Sequence, residues 1–217
     1  TDDGLEESQY VFLHHNDLPG RWQTMKPGSH FSIGETGFGT GLNFLATWQS
    51  WRQQAKQGCR LHFISVEKHP LNVEDLRRAL ALWPSLHGLT EELLKQYPPL
   101  CPGFHRLQFD QGNVSLTLLF GEAECMLQQL HGTIDCWFLD GFSPAKNPSM
   151  WTPALFETLA RHSHQTTSFS TFSTARPVRD GLTRAGFEIN KASGYGLKRE
   201  MLYGHYTSTA LPQAEQK

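Results

Sequence analysis

Short apolar runs alternate along this chain with longer stretches in which apolar residues recur at helical spacing. The runs predict strands at 31–33, 61–66, 104–109, 114–120, 136–139, 168–172, 187–191 and 201–206. The longer stretches predict helices at 41–57, 72–83, 91–97, 151–162 and 177–185, and a short turn or helix at 5–12 followed by a loop containing Pro and Gly. Strands that alternate with helices indicate an α/β fold with a mostly parallel sheet covered on both faces.

Length and composition agree with a single folded domain. The chain has 217 residues, of which 38% are hydrophobic and 18% charged, a balance too apolar for disorder. We expect residues 1–30 to be an N-terminal segment packed on the domain, 31–206 the domain itself, and 207–217 a polar tail or linker. The cysteines lack CxxC spacing and the histidines lack H-E-x-x-H spacing, so no metal site is predicted. No apolar run is long enough to span a membrane, and a cytoplasmic protein is expected.

The charge of the chain is close to balanced but unevenly distributed. A formal net charge of −2 does not by itself indicate a nucleic-acid partner. Between Arg176 and Arg199, however, basic residues are offset only by Asp180 and Glu188. This stretch is either a local basic face or ordinary solvated surface, and charge alone leaves both open.

A glycine-rich turn joins the first predicted strand to the helix at 41–57. It carries three alternate glycines between an acid and an amide, and the residues that we assign to cofactor binding are Glu35, Gly37, Gly39, Gly41 and Asn43. Glycine lets the backbone approach a ligand closely, and the following helix start offers free N–H groups. A dinucleotide-binding turn has G-x-G-x-x-G spacing, and Glu35 would repel a pyrophosphate but attract the cationic amine of a methionine moiety. The pattern therefore favours S-adenosylmethionine over NAD.

Acidic residues at two further strand ends extend this prediction. Glu67 follows the strand at 61–66, where a doubly wound sheet places a carboxylate that accepts hydrogen bonds from ribose hydroxyls. Gly121 and Glu122 follow the strand at 114–120, where an acid can reach the adenine amine, although Glu124 would serve equally well. We assign Glu67, Gly121 and Glu122 to the cofactor site.

Asp140 follows the buried strand at 136–139 and is the candidate catalytic residue. It is either an acid that orders the next loop or one that handles substrate. A nitrogen nucleophile needs a free lone pair, and a carboxylate here can hold an alkyl ammonium, orient it and accept its proton. We assign Asp140 this catalytic role and a contact with the cofactor.

The predicted substrate contacts lie after Asp140 and in the loop before the last strand. Aromatic residues in the first segment can wall a pocket or stack a base, although single aromatics are more often core residues. The two cations in the loop suit contacts with RNA phosphates, or are solvated charges of a hairpin turn. The predicted set is Phe142, Pro144, Lys146, Trp151, Lys198 and Arg199.

Five segments together resemble the methyltransferase domain of the MnmC family, over about residues 1–206. They are Gly4–Ser8, Glu35–Phe44, Leu61–Glu67, Phe138–Trp151 and Lys198–Met201. The resemblance implies a Rossmann-like class I S-adenosylmethionine-dependent methyltransferase fold, with a mostly parallel seven-stranded sheet and an antiparallel C-terminal strand. It also implies methylation of the aminomethyl nitrogen of 5-aminomethyl-2-thiouridine at wobble position 34 of tRNA, which gives 5-methylaminomethyl-2-thiouridine.

The resemblance has further implications and one departure. Many family members carry this domain ahead of an FAD-dependent oxidase, so FAD is expected only if the natural chain continues into one, and a separate oxidase is a possible partner. Residues 161–167 replace the Arg-Pro-Gly-Gly-type turn of the family, which leaves open a local distortion or omitted residues. The alternatives are a methyltransferase of this fold acting on a small molecule or protein, a nucleotide-binding domain without catalysis, and an NAD-dependent enzyme.

Overall fold

The computed structural model of the chain describes residues 3–141, 147, 150–196 and 198–207. Three predicted substrate contacts, Phe142, Pro144 and Lys146, lie outside the described residues, as does the predicted tail beyond residue 207.

A single mixed sheet organises the described part of the chain. Its eight strands are β1 His30–Glu35, β2 Arg60–Glu67, β3 Gly103–Phe109, β4 Val114–Phe120, β5 Ile134–Phe138, β6 Ser163–Thr171, β7 Phe187–Ser193 and β8 Glu200–Tyr206. They lie in the order β3-β4-β2-β1-β5-β6-β8-β7, parallel from β4 to β6, with β3 antiparallel to β4 and β8 antiparallel to β6 and β7. The α/β class and the antiparallel C-terminal strands are confirmed. The sheet has eight strands rather than seven, since the hairpin of β3 and β4 adds an antiparallel edge.

Helices cover both faces of this sheet. They are α1 Asp3–Ser8, α2 Leu18–Gln23, α3 Leu42–Gln54, α4 Val73–Leu80, α5 His87–Gln96, α6 Ala123–Leu127, α7 Pro153–Arg161 and α8 Arg176–Arg184, with a π-helical turn at Gln9–His14 and 3-10 turns at Pro84–Leu86 and Asp110–Gly112. Asn72 caps α4, because its side chain accepts a hydrogen bond from the Asp75 backbone N–H at 2.9 Å. Among these helices α2 replaces a predicted loop. Its Pro19 lies in the first turn, where a missing N–H costs nothing.

Adjacent side chains on β5 show how the two hydrophobic cores divide. Trp137 and Phe138 are both fully buried but point to opposite faces of the sheet. Phe138 packs against Phe12 with ring centroids 4.8 Å apart, in the core beneath the N-terminal segment and α3. Trp137 belongs to the other core, with α7 and α8. Phe12 of the N-terminal segment therefore packs on the sheet.

The polar stretch before residue 168 is strand and not a turn. β6 begins at Ser163, and its register against β5 shifts between Ile134 and Cys136, which marks a bulge. The Thr167 hydroxyl donates to the Ile134 carbonyl at 2.6 Å. Side-chain hydrogen bonds thus stabilise a strand that its polar residues do not predict. The local distortion that the sequence left open corresponds to this irregular start of β6.

The strand order places a reversal at the centre of the sheet. β1 pairs with β2 on one side and with β5 on the other, so that Glu35 lies level with Ser65 and Phe138. The carboxyl ends of β1, β2 and β5 therefore meet at a topological switch point, the usual ligand position in open α/β sheets. In the part of the chain that the structure describes, no helix is long and apolar enough to cross a membrane.

Candidate active site

Two adjoining cavities open at the carboxyl edge of these strands. The first, of about 330 Å³, lies at the ends of β1, β2 and β4. The second, of about 570 Å³, is bounded by α1, the start of α3 and the loop before β8. Both are lined by Gly37, Gly39, Asp140 and Gly141. The predicted glycine turn and the end of β5 thus form the boundary between the cavities.

The three glycines of the turn have different roles. A Cβ on Gly37 would lie 3.1 Å from the Asp140 carbonyl oxygen, so a side chain there would crowd the strand end. Gly39 has a φ of +54° and faces open space, where a side chain would enter the cavities. Gly41 has a φ of +77°, lines neither cavity, and would place a Cβ 2.6 Å from the Phe38 ring. Gly41 therefore serves the turn into α3 and not the ligand contact that the sequence predicted.

Glu67 is held where the sequence placed it, at the end of β2 and in the wall of the first cavity. The Gly39 backbone N–H donates to its Oε2 at 2.9 Å, and the His69 backbone N–H donates to its Oε1 at 2.8 Å. Each carboxylate oxygen keeps a further lone pair. Glu67 therefore fixes the glycine turn and still offers acceptors to ligand hydroxyls.

The two acids after β4 have different partners. Gly121 and Glu122 line the first cavity, and Glu122 forms an ion pair with Lys68 across its rim. Glu124 instead accepts a hydrogen bond from the Thr152 hydroxyl at 2.8 Å. Of the two acids between which the sequence could not choose, the structure places Glu122 at the cavity.

Asp140 is connected to Glu35 through the side chain of Asn43. The Asn43 amide nitrogen donates to Asp140 Oδ2 and to Glu35 Oε1, both at 2.8 Å. The Ser65 hydroxyl donates to the other Glu35 oxygen at 2.6 Å, and the Ser8 hydroxyl donates to Asn43 Oδ1 at 2.6 Å. Glu35 is fully buried and lines neither cavity. The direct ligand contact predicted for Glu35 is therefore absent from these two cavities, and Glu35 reaches the second one only through Asn43.

Burial governs the ionisation of both acids. It raises the pKa of the Glu35 carboxyl well above its usual range, and the nearby Asp140 adds to the rise. Burial also raises the pKa of Asp140, against the lowering effect of the Asn43 hydrogen bond and the Lys198 ammonium, while Glu7 raises it further. The boundary between the cavities thus holds two buried acids, and a cationic ligand beside them would favour their charged forms.

The second cavity contains Lys198, which the sequence assigned, and Glu7 and Ser8, which it did not. The Lys198 ammonium lies 2.9 Å from Glu7 Oε1 and 3.6 Å from the centre of the Phe172 ring. Ser8 also lines this cavity. The signal for Glu7 and Ser8 was the segment Gly4–Ser8, which carried the family resemblance but no predicted chemistry. Lys198 lines this cavity and is also solvent-exposed, so the phosphate contact suggested by its loop stays a prediction.

Two other predicted substrate contacts lie elsewhere. Trp151 is 7% exposed and packs in the core of α7 and α8, with its ring 6.3 Å from that of Phe156. It lines neither of the two cavities, and α7 begins two residues later, at Pro153. Arg199 is exposed and also lies outside both linings. No group of three or more His, Cys, Asp or Glu side chains in the described ranges could hold a metal ion.

Comparison with known proteins identifies the class of this site. Residues 84–207, more than half of the chain, match a family described as S-adenosyl-L-methionine-dependent methyltransferase. The chain belongs to this family. Its cofactor is therefore S-adenosylmethionine, as the acid and the spacing of the glycine turn predicted.

Individual relatives of this methyltransferase agree with the family match. It is 53% identical over 209 residues to "tRNA 5-methylaminomethyl-2-thiouridine biosynthesis bifunctional protein MnmC" of Methylobacillus flagellatus, covering 96% of this chain and 32% of that protein. It is 56% identical over 203 residues to the protein of the same name in Pseudomonas paraeruginosa, covering 94% and 31%. The methyltransferase thus spans about a third of the length of these curated relatives. The resemblance to MnmC found in the sequence is confirmed.

A solved structure supports the fold of the methyltransferase. The crystal structure of MnmC2 from Aquifex aeolicus superposes with a TM-score of 0.74 and 22% sequence identity, covering 96% of this chain and 62% of that one. At this identity the likeness establishes the fold alone.

The first cavity and its boundary with the second suit S-adenosylmethionine. The first offers the Glu67 carboxylate to ribose hydroxyls and the rim at Gly121 and Glu122 to adenine. The shared boundary is a glycine cradle, in which a side chain at Gly39 would enter the open space of the cavities. It leads to the acidic pair of Asp140 and Glu35, which favours the cationic sulfonium and amino groups. These assignments of individual residues are predictions from the geometry.

Proposed function

We propose that this chain transfers the methyl group of S-adenosylmethionine to the aminomethyl nitrogen of 5-aminomethyl-2-thiouridine at wobble position 34 of tRNA. The product is 5-methylaminomethyl-2-thiouridine, the nucleoside in the name of its relatives. One observation carries the proposal. Asp140 lies where the two cavities meet, so its carboxylate is shared by the cofactor side and the substrate side.

The chemistry needs an acid at this position. A primary alkylamine is protonated at neutral pH and has no lone pair for attack. Asp140 holds the ammonium, orients its nitrogen towards the first cavity, and accepts its proton directly or through water. S-adenosylmethionine supplies a methyl group on a sulfonium. The N–CH3 bond forms as the S–CH3 bond breaks, and the nitrogen loses one proton for each methyl gained.

The surroundings of Asp140 suit it to this proton transfer. Burial raises the pKa of its carboxyl, which makes it a stronger base than a solvated aspartate. Asn43 and the Gly141 backbone N–H hold its two oxygens at 2.8 Å each, so the carboxylate is fixed before substrate arrives. Holding reacting groups in an aligned geometry can contribute roughly 7–11 kcal/mol to a reaction between them.

The size of the second cavity favours a nucleotide substrate. Its volume of about 570 Å³ exceeds that of the first, which we assign to adenosine, and Phe172 and Trp83 contribute aromatic walls. A small amine would leave most of this space unfilled. Action on tRNA also implies a cytoplasmic enzyme.

A direct assay tests the proposal. tRNA that lacks the final methyl is incubated with the protein and S-adenosylmethionine, and its nucleosides are analysed by mass spectrometry. We expect one added methyl on the wobble nucleoside, and an unchanged nucleoside would reject this substrate. A variant of the exposed Arg199 distinguishes this proposal from the small-molecule alternative. Arg199→Glu should weaken turnover of tRNA but not of the free nucleoside. Lys198 is unsuitable for this test because it contacts Glu7 inside the cavity.

The catalytic role of Asp140 has its own test. Asp140→Asn keeps the shape and the hydrogen bond to Gly141 but removes the base, so we expect kcat to fall by about 10²–10⁴ with binding of S-adenosylmethionine retained. Asp17→Asn is the matched control, since Asp17 is exposed and Asn tolerates its φ of 47°. Full activity of Asp140→Asn would contradict the assignment.

A further inference from the structure

We propose that Ser8 is a positioning residue, which orients Asn43 and through it holds the Asp140 carboxylate in the geometry for methyl transfer. The inference rests on the catalytic role proposed for Asp140. It assigns to the N-terminal helix a function that its place outside the sheet does not suggest.

The Asn43 side chain uses both its N–H donors and its carbonyl oxygen in one network. Its amide group has two N–H donors, and they serve two carboxylates, Asp140 and Glu35, at 2.8 Å each. The remaining group, Oδ1, accepts from the Ser8 hydroxyl at 2.6 Å. Ser8 is 3% exposed and Asn43 8% exposed, so little solvent reaches this contact. Ser8 is the donor that satisfies the Asn43 carbonyl in the described surroundings.

Ser8 is held in place independently of Asn43. It is the last residue of α1, and its neighbours on that helix make ion-pair and hydrogen-bond contacts with the loop before β8. Glu7 pairs with Lys198, and Glu6 accepts a hydrogen bond from the Tyr195 hydroxyl. Because α1 is attached on this side, the Ser8 hydroxyl is a fixed donor against which the Asn43 amide is oriented.

Loss of the Ser8 hydroxyl would leave a buried carbonyl oxygen without a donor. Such a group is costly, and rotation of the Asn43 side chain towards the second cavity would relieve it. The same rotation would break the bridge between Asn43 and Asp140. The effect would reach Asp140 although Ser8 does not touch it.

The change in charge balance at Asp140 has a defined sign. The groups facing Asp140 are Glu35 from β1, Glu7 from α1 and Lys198 from the loop before β8. The Asn43 hydrogen bond lowers the pKa of Asp140, whereas burial and Glu7 raise it. Without this hydrogen bond the pKa rises, so the acidic limb of the pH–rate profile moves to higher pH.

The test compares Ser8→Ala with Ser8→Thr, which keeps a hydroxyl, and with Ser50→Ala as the control. Ser50 is also buried, at 8% exposure against 3% for Ser8, and its hydroxyl accepts from Gln54 at 2.8 Å on the remote part of α3. The intact chain is used for kcat, for KM of tRNA and for calorimetric binding of S-adenosylmethionine. The Asp140 carboxyl is titrated by 13C NMR without ligands, with Asp140→Asn assigning its resonance.

We expect Ser8→Ala to lower kcat by roughly ten- to a hundredfold, the effect of an unsatisfied buried acceptor. KM and cofactor binding should change little, the Asp140 titration should move to higher pH, and Ser8→Thr should restore both readouts. Unchanged kcat and titration in Ser8→Ala would overturn the inference, as would equal losses in Ser50→Ala. If Ser8→Ala also loses cofactor binding, the role is structural and the inference fails. The NMR titration needs no substrate, so it decides the inference even if the proposed tRNA substrate is wrong.

Discussion

Gly39 and Gly28 share a left-handed backbone but differ in their surroundings. Their φ angles are +54° and +86°, and neither would place a Cβ within 4 Å of another atom. Both backbone N–H groups donate at 2.9 Å, from Gly39 to Glu67 and from Gly28 to the Gly58 carbonyl. Only Gly39 lines the cofactor cavity. The pair therefore separates the conformational role of glycine from its role beside a ligand.

Substitution by alanine at both positions tests this distinction. Each variant forces a non-glycine residue into a left-handed conformation at a cost of about 1–2 kcal/mol, which lowers Tm by roughly 2–4 °C per kcal/mol in a chain of this size. Gly39→Ala should in addition weaken S-adenosylmethionine binding at least about tenfold, or ~1.4 kcal/mol, because the methyl group enters the cleft. Calorimetry on both variants measures the difference. Equal loss of affinity in Gly28→Ala would show that the glycine turn acts only through stability.

At the scale of elements, the amino ends of the central strands are joined to α2 by a polar network. The Arg21 guanidinium donates to the Ser168 hydroxyl at 2.7 Å and to the carbonyls of Asp135 and Thr166 at 2.9 and 3.1 Å. It therefore attaches α2 to both β5 and β6. The network lies at the opposite end of the strands from the active site, so its contribution is to stability.

The Asp135 carboxylate makes this network sensitive to pH. Burial alone would raise the pKa of Asp135, but hydrogen bonds from His164 and the Ser32 backbone N–H, with the charge of Arg21, hold it below its usual value. A lowered native pKa stabilises the fold above the unfolded-state pKa of about 3.9, and this stability is lost as pH falls through the native pKa. Asp135→Asn should therefore lower the free energy of unfolding by roughly 1 kcal/mol at pH 7, and by progressively less below pH ~4.

Urea unfolding of Asp135→Asn across this pH range measures the effect. Asp180→Asn is the control, since Asp180 forms an exposed pair with Arg176 that contributes little to stability. A deficit in Asp135→Asn that stays constant from pH 7 to strongly acid pH would rule out the ionic contribution.

The elements that the sequence predicted share local signals, and those it missed depend on distant partners. The glycine turn, Glu67 and the strand ending before Asp140 were found because apolar runs and backbone chemistry are local. The predicted start of β6 lies too far along the chain, because the residues at its actual start are polar and form a strand only beside β5. Glu35 was expected to contact the ligand. Its carboxylate instead accepts hydrogen bonds from Asn43 on α3 and Ser65 on β2, and residue spacing does not reveal such partners. The position of Trp151 could not be predicted for the same reason, since only packing distinguishes an aromatic residue in a pocket from one in the core.

For the whole molecule, the cofactor cleft joins elements that lie far apart in sequence. The first cavity is lined by residues from the ends of β1, β2, β4 and β5, from Thr36 to Met150. The unfolded chain has no such cleft, so S-adenosylmethionine binds the native state alone. Binding must then stabilise the entire fold by mass action.

A thermal shift experiment measures this coupling and decides between the cofactors. S-adenosylmethionine at a hundredfold excess over its Kd should stabilise the protein by about 2.7 kcal/mol, which raises Tm by roughly 5–11 °C. NAD at the same concentration should leave Tm unchanged, because its pyrophosphate would meet the carboxylates of Glu67 and Asp140 and a turn without G-x-G-x-x-G spacing. A shift with NAD equal to that with S-adenosylmethionine would contradict the electrostatic basis of this selectivity. A shift with S-adenosylmethionine that persists at full size in Gly39→Ala would place the ligand outside the glycine cradle.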